Sequence, residues 1–273
     1  MRIVILLYAT ACLAGCLGDQ AIPQTTPATE AWSLAWSDEF DTELDTTVWT
    51  AEIGTGEEQG LAGWGNDELQ YYTGRADNLR VEDGHLVITA VSEDYEGASY
   101  TSARLISQNA KEIQYGRIEA SIKVPSGQGL WPAFWLLGKN IDDVGWPTCG
   151  EIDIMEARGQ QPSWIGGALH GPGYSGGSSL NQSYYDKEQS FDSAFHVVGV
   201  DWDQDRISWW VDGDVYHSVT RGSLQAHQEW VYDQPFFLLL NLAVGGNYVG
   251  DPNPDTPFPA EFKIDYIRVY QRN

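Results

Sequence analysis

Sulfur-containing residues are scarce in this chain, which has three cysteines and two methionines among 273 residues. Cys12 lies inside an N-terminal apolar run and Cys16 directly follows that run, so we expect neither in the folded part of the chain. No internal disulfide is then available. Cys149 stands two residues before Glu151, and we expect a buried structural thiol there, because no obvious histidine base accompanies it.

Basic residues are also few, since 15 lysines and arginines face 39 aspartates and glutamates and the formal net charge is −24. A field of that sign repels phosphate backbones and anionic lipid surfaces, which argues against nucleic acid as a partner. It also argues against sulfated polysaccharides, which need clamps of arginine and lysine. A neutral polymer is compatible with this charge, although the acid surplus can also simply keep a secreted protein soluble.

A hydrophobic run long enough to span a membrane is missing. The apolar stretch from Ile3 to Ala14 is too short for a stable spanning helix. It ends in Leu13-Ala14-Gly15-Cys16, which resembles the bacterial lipobox, whose cysteine is lipidated; a plain secretory signal is the alternative. Lipidated Cys16 would hold the protein at a membrane that it does not cross, in the periplasm or at the cell surface.

These features divide the chain into three parts. Residues 1–15 read as a lipoprotein signal peptide, and residues 16–31, which contain Pro, Thr and Gln, read as a lipidated tether. Residues 32–273 show no second composition regime, internal repeat or linker. We therefore predict one large domain there.

Long amphipathic helical periods are absent as well. Residues 117–124 alternate between apolar and polar positions, which is the period of a half-buried strand. Asp212-Gly213 separates two such segments and predicts a hairpin, and Phe236 to Leu240 suits a strand covered on both sides. We therefore predict an all-β sandwich of two antiparallel sheets. The 12 tryptophans and 14 tyrosines can fill its core or form platforms for sugar rings.

The most informative segment is the acidic strand at residues 150–156. Glu151 and Asp153 share one face, where two neighbouring carboxylates repel each other and raise the pKa of at least one. Glu156 lies five positions from Glu151, and an odd separation sends it to the opposite face of a regular strand. We predict a β-bulge near Met155 that returns Glu156 to the face of the other two carboxylates.

Two glutamates on one strand face can carry out glycoside hydrolysis. With the bulge their Cα atoms lie roughly 13 Å apart, and converging side chains can approach the roughly 5–5.5 Å that retaining enzymes use. One glutamate would then attack the anomeric carbon while the other protonates the departing oxygen. From spacing alone, an acidic edge strand or a cation site remains the alternative.

Glu-Ile-Asp-Ile-Met-Glu at 151–156 resembles the active-site strand of family-16 glycoside hydrolases. The inserted Met is typical of their laminarinase-like branch, the endo-β-1,3-glucanases. Further matches follow the family's order along nearly the whole of residues 32–273. They are Trp36-Ser37-Asp38-Glu39-Phe40, residues 66–72, residues 100–104, residues 115–119, residues 130–135, Phe195-His196-Val197 and residues 263–270.

The resemblance implies a jelly-roll sandwich with an open sugar cleft. It also implies retaining hydrolysis of internal β-1,3 bonds in neutral β-glucans, with mixed-linkage β-1,3-1,4-glucans as further candidates. Glu151 matches the family's nucleophile, Asp153 its assisting acid and Glu156 its acid/base. The catalysis needs no cofactor, and nothing in the sequence suggests a form other than a monomer.

The resemblance also marks substrate-binding residues. Trp131 and Trp135 match cleft-lining rings near the cleaved bond, although taken alone they read as core tryptophans. Asn66 and Arg104 match groups that bind sugar hydroxyls on the non-reducing side; as lone residues they read as a turn asparagine and a surface arginine.

Three further residues are assigned to substrate binding. Trp64 and Trp146, on loops rich in Gly or containing Pro, are expected to extend the aromatic platform. His170 resembles a histidine on the leaving-group side of laminarinases, and a packed histidine is the alternative reading.

Many family members bind a structural calcium ion away from the cleft. The corresponding positions are Glu39, Gly84 through its carbonyl, and Asp265, which offer the oxygen ligands that this hard cation prefers. The remaining histidines show no ligand spacing and receive no role: His85, His196, His217 and His227.

Other functions stay open at this stage. A noncatalytic glucan-binding protein of the same fold is one, and intact Glu151 and Glu156 argue against it. Agar, carrageenan or xyloglucan as substrate is another. The inserted Met disfavours xyloglucan, and the acidic charge disfavours sulfated galactans. Transglycosylation shares the glycosyl-enzyme intermediate with hydrolysis and differs only in the acceptor.

Overall fold

The computed structural model describes residues 32–272, so the expectations for the signal and the tether lie outside the described residues. Within this range, no helix combines the length and the apolar composition that crossing a bilayer requires. In chain order, its strands are β1 (Trp32–Asp38), β2 (Thr50–Glu52), β3 (Gln70–Tyr72), β4 (Leu79–Glu82), β5 (His85–Tyr95), β6 (Ala98–Ser102), β7 (Arg104–Ile106), β8 (Glu112–Ile113), β9 (Gly116–Lys123), β10 (Leu130–Gly138), β11 (Glu151–Ala157), β12 (Trp164–His170), β13 (Leu180–Tyr185), β14 (His196–Trp202), β15 (Arg206–Val211), β16 (Asp214–Thr220), β17 (Phe236–Val244) and β18 (Ala260–Arg272). The helical segments are α1 (Ile141–Val144) and the 3-10 turns Glu57–Gln59, Ala62–Gly65, Gly176–Ser178 and Arg221–Ser223.

The strands form two sheets, as predicted. A ten-stranded sheet has the order β16-β15-β14-β9-β18-β5-β6-β3, with β1 added to β18 and β4 to β5. An eight-stranded sheet has the order β13-β12-β11-β10-β17-β7-β2, with β8 added to β17. Pairing is antiparallel, except that β3 runs parallel to β6. The predicted all-β architecture is confirmed, with this one parallel pair as a difference.

The core lies between the sheets. The apolar face of β9 (Ile118, Ala120, Ile122) is fully buried, as its alternation predicts. On its polar face Glu119 and Ser121 are buried as well, and Glu119 accepts a hydrogen bond at 3.1 Å from the hydroxyl of Tyr270 on the neighbouring strand β18. Sequence alternation predicted the core face correctly but not the cover that neighbouring strands place over the other face.

Two further sequence predictions are confirmed. Asp212 and Gly213 both have positive φ angles, 49° and 92°, which the tight turn between β15 and β16 requires. Every residue of β17 is buried, so this strand is covered on both sides. Cys149 is buried as well, and burial raises the pKa of its thiol to about 12, so it is inert at neutral pH.

The predicted bulge in β11 is present. From Asp153 to Glu156 the strand advances three residues, while its partner β12 advances two, from Ala168 to Gly166. The pairing with β10 shifts at the same place. Ile154 and Met155 both turn into the core. The opposite sheet braces this point, because Trp209 Nε1 donates a 2.7 Å hydrogen bond to the main-chain oxygen of Asp153.

Candidate active site

The open face of the eight-stranded sheet is the face turned away from the core, and it carries the three carboxyl groups of β11. Ile152 and Ile154 point the other way and are buried in the core. Opposite Glu151, Asp153 and Glu156, strand β12 places His170, Ala168 and Gly166. The bulge therefore brings together the three predicted acids and His170.

An indole N–H holds each of the two glutamates. Trp146 Nε1 donates to Glu151 Oε2 at 2.7 Å, and Trp131 Nε1 donates to Glu156 Oε1 at 3.0 Å. An indole can donate but never accept, so each bond favours an oxygen that carries no proton. Both tryptophans were predicted as sugar-facing rings, and the structure shows that they also orient the acids.

Asp153 lies between the glutamates with 5% of its side chain exposed, and its Oδ2 is 3.1 Å from His170 Nε2. The Gly176 N–H donates to His170 Nδ1 at 3.0 Å, so Nδ1 carries no proton. A neutral His170 therefore has its proton on Nε2, the atom that faces Asp153 and, at 3.8 Å, Glu151.

Burial and mutual repulsion shift all three acids in one direction. Burial, reinforced by the charge of Asp153, raises the pKa of Glu151 to about 8. Burial raises the pKa of Asp153 well above its ordinary value, with the charge of Glu156 adding to it. Burial also raises the pKa of Glu156, while His170 and Trp131 oppose that rise. The site therefore holds protons at neutral pH, as general acid catalysis requires.

Three predicted substrate-binding residues lie together on the part of the open face formed by β10 and β7, next to β11. The Arg104 guanidinium lies between the rings of Trp64 and Trp135, 4.6 Å and 4.9 Å from their centroids, and pairs with Glu52. Trp64 is 5% exposed, so its ring packs against Arg104 and offers little surface to a ligand. Trp135 is the more accessible ring of the two.

A directional hydrogen-bond network behind these rings ends on Glu68. Trp135 Nε1 donates to Asn241 Oδ1 at 2.8 Å, and Asn241 Nδ2 lies 3.2 Å from the Tyr72 hydroxyl. That hydroxyl in turn donates to Glu68 Oε2 at 3.2 Å. Gln70 Nε2 and Asn66 Nδ2 also donate to Glu68, at 2.7 Å and 3.2 Å.

The network fixes the orientation of its members. Burial raises the pKa of Glu68, while the charge of Arg104 and the three side-chain donors that point at its carboxylate oppose that rise. With Nδ2 of Asn66 held by Glu68, Oδ1 is the atom left to accept a bond from a ligand. Asn66 was predicted from the sequence and Glu68 was not, although both lie in the matching segment 66–72.

Two residues beside Glu156 were also missed. The Arg158 guanidinium lies 4.1 Å from the centroid of the Tyr248 ring, and that ring is 5.0 Å from Trp131. Arg158 stands two positions after Glu156, a spacing that could have indicated it. Tyr248 comes from a loop some ninety positions further along the chain, and no local pattern connects it to β11.

Within residues 32–272, two groups of side chains have the spacing of metal ligands: Glu151, Asp153 and His170, and separately Asp186, His196 and Asp212. The first is the acid site itself. In the second, His196 Nδ1 and Asp212 Oδ2 are 2.7 Å apart. Asp186 accepts two main-chain N–H bonds and Asp212 one, so these residues anchor loops.

Comparison with known proteins agrees with this geometry. The family model described as glycosyl hydrolases family 16 matches residues 66–268. The laminarinase catalytic domain of Thermotoga maritima has a structure with a TM-score of 0.86 and 48% identity, covering 89% of this chain and 100% of that one. A beta-glucanase of Rhodothermus marinus is 40% identical, over 77% of this chain and 76% of its own length.

An endo-1,3-1,4-beta-glycanase of Rhizobium meliloti is 31% identical, over 82% of this chain and 47% of its own length. The chain spans about a third of the length of two further curated relatives that it matches.

The raised pKa of Glu151 predicts a pH-dependent stability difference. The folded protein keeps this proton up to about pH 8, whereas the unfolded chain releases it near 4.5, so folding binds a proton between these values. The free energy of unfolding therefore falls as pH rises through this window. We expect Glu151→Gln to be more stable than wild type by roughly 1–3 kcal/mol at pH 8 and nearly equal to it at pH 4.5.

Urea unfolding of both proteins across this pH range measures the difference. Glu57→Gln, the same change at an exposed glutamate, is the control, and its difference from wild type should not vary with pH. A Glu151→Gln difference as flat as that of the control would contradict the burial argument.

Proposed function

Because the chain belongs to glycosyl hydrolase family 16, we propose that it hydrolyses internal β-1,3-glucosidic bonds of laminarin-like glucans with retention of configuration. The observation that carries this proposal is the placement of Glu151 and Glu156 on one open face, each oriented by an indole N–H. A pair of carboxyl groups on one face is what double displacement at a sugar carbon requires. The chemistry then needs only these groups and water.

In the first step, Glu151 attacks the anomeric carbon and the bond from that carbon to the leaving oxygen breaks. Glu156 gives its proton to that oxygen, so the departing sugar leaves as a neutral alcohol. In the second step, Glu156 takes a proton from water, and the resulting oxygen attacks the same carbon and releases Glu151. Two inversions give net retention.

Asp153 and His170 manage the proton of the nucleophile. A protonated Asp153 can donate a hydrogen bond to Glu151, which leaves Glu151 anionic for attack. His170 Nε2 lies beside the same two carboxyl groups, 3.1 Å from Asp153 and 3.8 Å from Glu151. Three buried carboxylates cannot all be ionised cheaply, and Glu151 itself keeps a proton up to about pH 8, so Glu151 is freed for attack when that proton moves to Asp153.

The substrate is a neutral polymer. The net charge of −24 disfavours sulfated chains, and the aromatic and amide groups on the open face suit uncharged sugar rings. Mixed-linkage glucans are a second substrate class, supported by the Rhizobium meliloti relative. A binding protein without turnover is disfavoured, because the acid pair and its supporting contacts are intact. The proposed working form is a monomer.

A structural calcium ion is also part of the proposal. The turn at Gly84 lies beside Asp265, since His85 Nε2 is 3.9 Å from Asp265 Oδ1. The end of β1 is also close to Asp265, because Asp38 pairs with Ile267. The side chain of Glu39 does not fit the role, because Arg268 holds both of its oxygens, at 3.0 Å and 2.8 Å. Calcium would be coordinated by the Asp265 carboxylate and by main-chain carbonyls.

Localisation is proposed on the sequence alone. The tetrapeptide before the tether supports lipidation at Cys16 and attachment to a bacterial membrane through acyl chains, in the periplasm or at the cell surface.

Trapping with azide distinguishes the roles of the two glutamates. We expect Glu151→Ala to lose roughly 10³-fold or more of its laminarin hydrolysis, measured as reducing ends. With azide, it should form an α-glucosyl azide, because azide enters the space of the missing nucleophile in one inversion. Glu156→Ala should form the β-azide from an aryl glycoside whose leaving group needs no protonation.

Lichenan, agarose and xyloglucan are assayed alongside laminarin. Cleavage of another polymer in place of laminarin would keep the mechanism and change the substrate. Full laminarin hydrolysis by Glu151→Ala would contradict the assignment of the nucleophile.

Thermal unfolding tests calcium binding. We expect millimolar CaCl₂ to raise the melting temperature of wild type relative to a chelator, because an ion that binds only the folded state stabilises it. The increase should disappear in Asp265→Asn and persist in Asp94→Asn, the control at a distant aspartate. An equal increase in all three proteins, or in none, would exclude this site.

Fractionation of bacterial cells tests the anchor. Wild type should sediment with membranes and Cys16→Ser should not, whereas Cys12→Ser, in the same segment, should behave like wild type. Soluble protein in all three cases would favour the plain secretory signal.

A further inference from the structure

Exposed tryptophan and tyrosine side chains are rare in the described part of the chain, and they are Trp146, Trp164 and Tyr185, with 48%, 44% and 45% of their surface accessible. Trp146 already belongs to the acid site. Trp164 and Tyr185 stack on each other, with centroids 4.6 Å apart and planes 29° apart. An exposed pair of large rings is costly to hydrate and marks a binding surface.

The register places this pair on the open face. Gly166 of β12 lies opposite Glu156, and Trp164 stands two positions before Gly166 on the same strand, so both point to the same side. Tyr185 is the partner of Trp164 on β13. Ile165, between these positions, is buried in the core. Two strand residues put the pair roughly 7 Å beyond the level of Glu156.

The path from Glu156 to this aromatic pair is open. Gly166 has no side chain, and a Cβ built there would meet nothing closer than the Tyr248 hydroxyl at 3.7 Å. Arg158, which follows Glu156 on the same face, has a buried Nε without a hydrogen-bond partner among the described residues. The exposed residue Ser183 lies opposite Gly166 on β13. Ser183 therefore offers an exposed hydroxyl beside the path.

The pair lies on the opposite side of β11 from Arg104 and Trp135. In the eight-stranded sheet, β10 and β7 lie on one side of β11, and β12 and β13 on the other. Since Arg104 and Asn66 are assigned to the non-reducing side, the sugars beyond Glu156 on β12 and β13 belong to the leaving group. This step rests on the proposed function.

We propose that Trp164 and Tyr185 form a stacking platform for the glucan units on the reducing-end side of the cleaved bond. The flat faces of the rings match the apolar faces of glucosyl units, and the continuity of the surface with Glu156 places the occupant. A sugar held there after the first step is also an acceptor in place of water, so the platform favours transglycosylation.

Kinetics on long and short substrates test the platform. For Trp164→Ala/Tyr185→Ala, we expect KM on laminarin to rise about tenfold, equivalent to about 1.4 kcal/mol. We expect little change on an aryl β-1,3-glucotrioside, whose leaving group does not reach the platform. The share of transglycosylation products should fall. Trp164→Phe, which keeps a ring, should recover most of the loss.

Phe195→Ala is the matched control, because Phe195 is also exposed and stacked, but on His85 away from the open face. Equal losses on both substrates, an unchanged laminarin KM, or the same effect in the control would each overturn the platform.

Affinity electrophoresis in laminarin, in a Glu151→Ala background, separates this proposal from the proposed function. Weaker retardation on loss of the two rings supports the platform even if wild type proves inactive on every glucan, an outcome that would refute the hydrolase alone. Unchanged retardation alongside active wild type refutes the platform alone.

Discussion

The extra residue in β11 is the constraint on which the rest of the site depends. A regular strand would turn Glu156 into the core, where an acid without partners is strongly destabilising. The bulge turns Ile154 and Met155 inward together and leaves three acids on the open face. The hydrogen bond from Trp209 to the main chain of Asp153 holds the strand next to this irregularity, so the opposite sheet fixes the geometry of the acids.

Once three acids share one face, the electrostatics follow. Their burial favours the neutral form, and their proximity means that each ionisation raises the pKa of the others. The indole N–H groups of Trp131 and Trp146 then each fix one oxygen of Glu156 and Glu151 as a hydrogen-bond acceptor, and His170 Nε2 lies 3.1 Å from Asp153. This packing places a carboxyl group that can hold a proton, Asp153, next to the oriented nucleophile Glu151. Retaining hydrolysis uses the same arrangement.

Features that depend on local periodicity could be predicted from the sequence. Alternation predicted the faces of β9 and β11, and the odd spacing of Glu151 and Glu156 predicted the bulge. It could not predict contacts made by tertiary packing. Tyr248 reaches the site from a distant loop, and Arg268 occupies the carboxylate of Glu39, a residue that was expected at the calcium site. Both pairings depend on which strands become neighbours, and no short pattern encodes that.

The two sides of the acid site differ in how firmly they are built. On the side of β10 and β7, Arg104 is sandwiched between rings, and donors converge on Glu68, so a sugar meets groups that are already oriented. On the side of β12 and β13, exposed rings lie beyond a glycine and few bonds direct a ligand. Preoriented groups hold the sugar that becomes covalently bound, which allows precise attack. Fewer directional contacts hold the sugar that leaves, which allows product release.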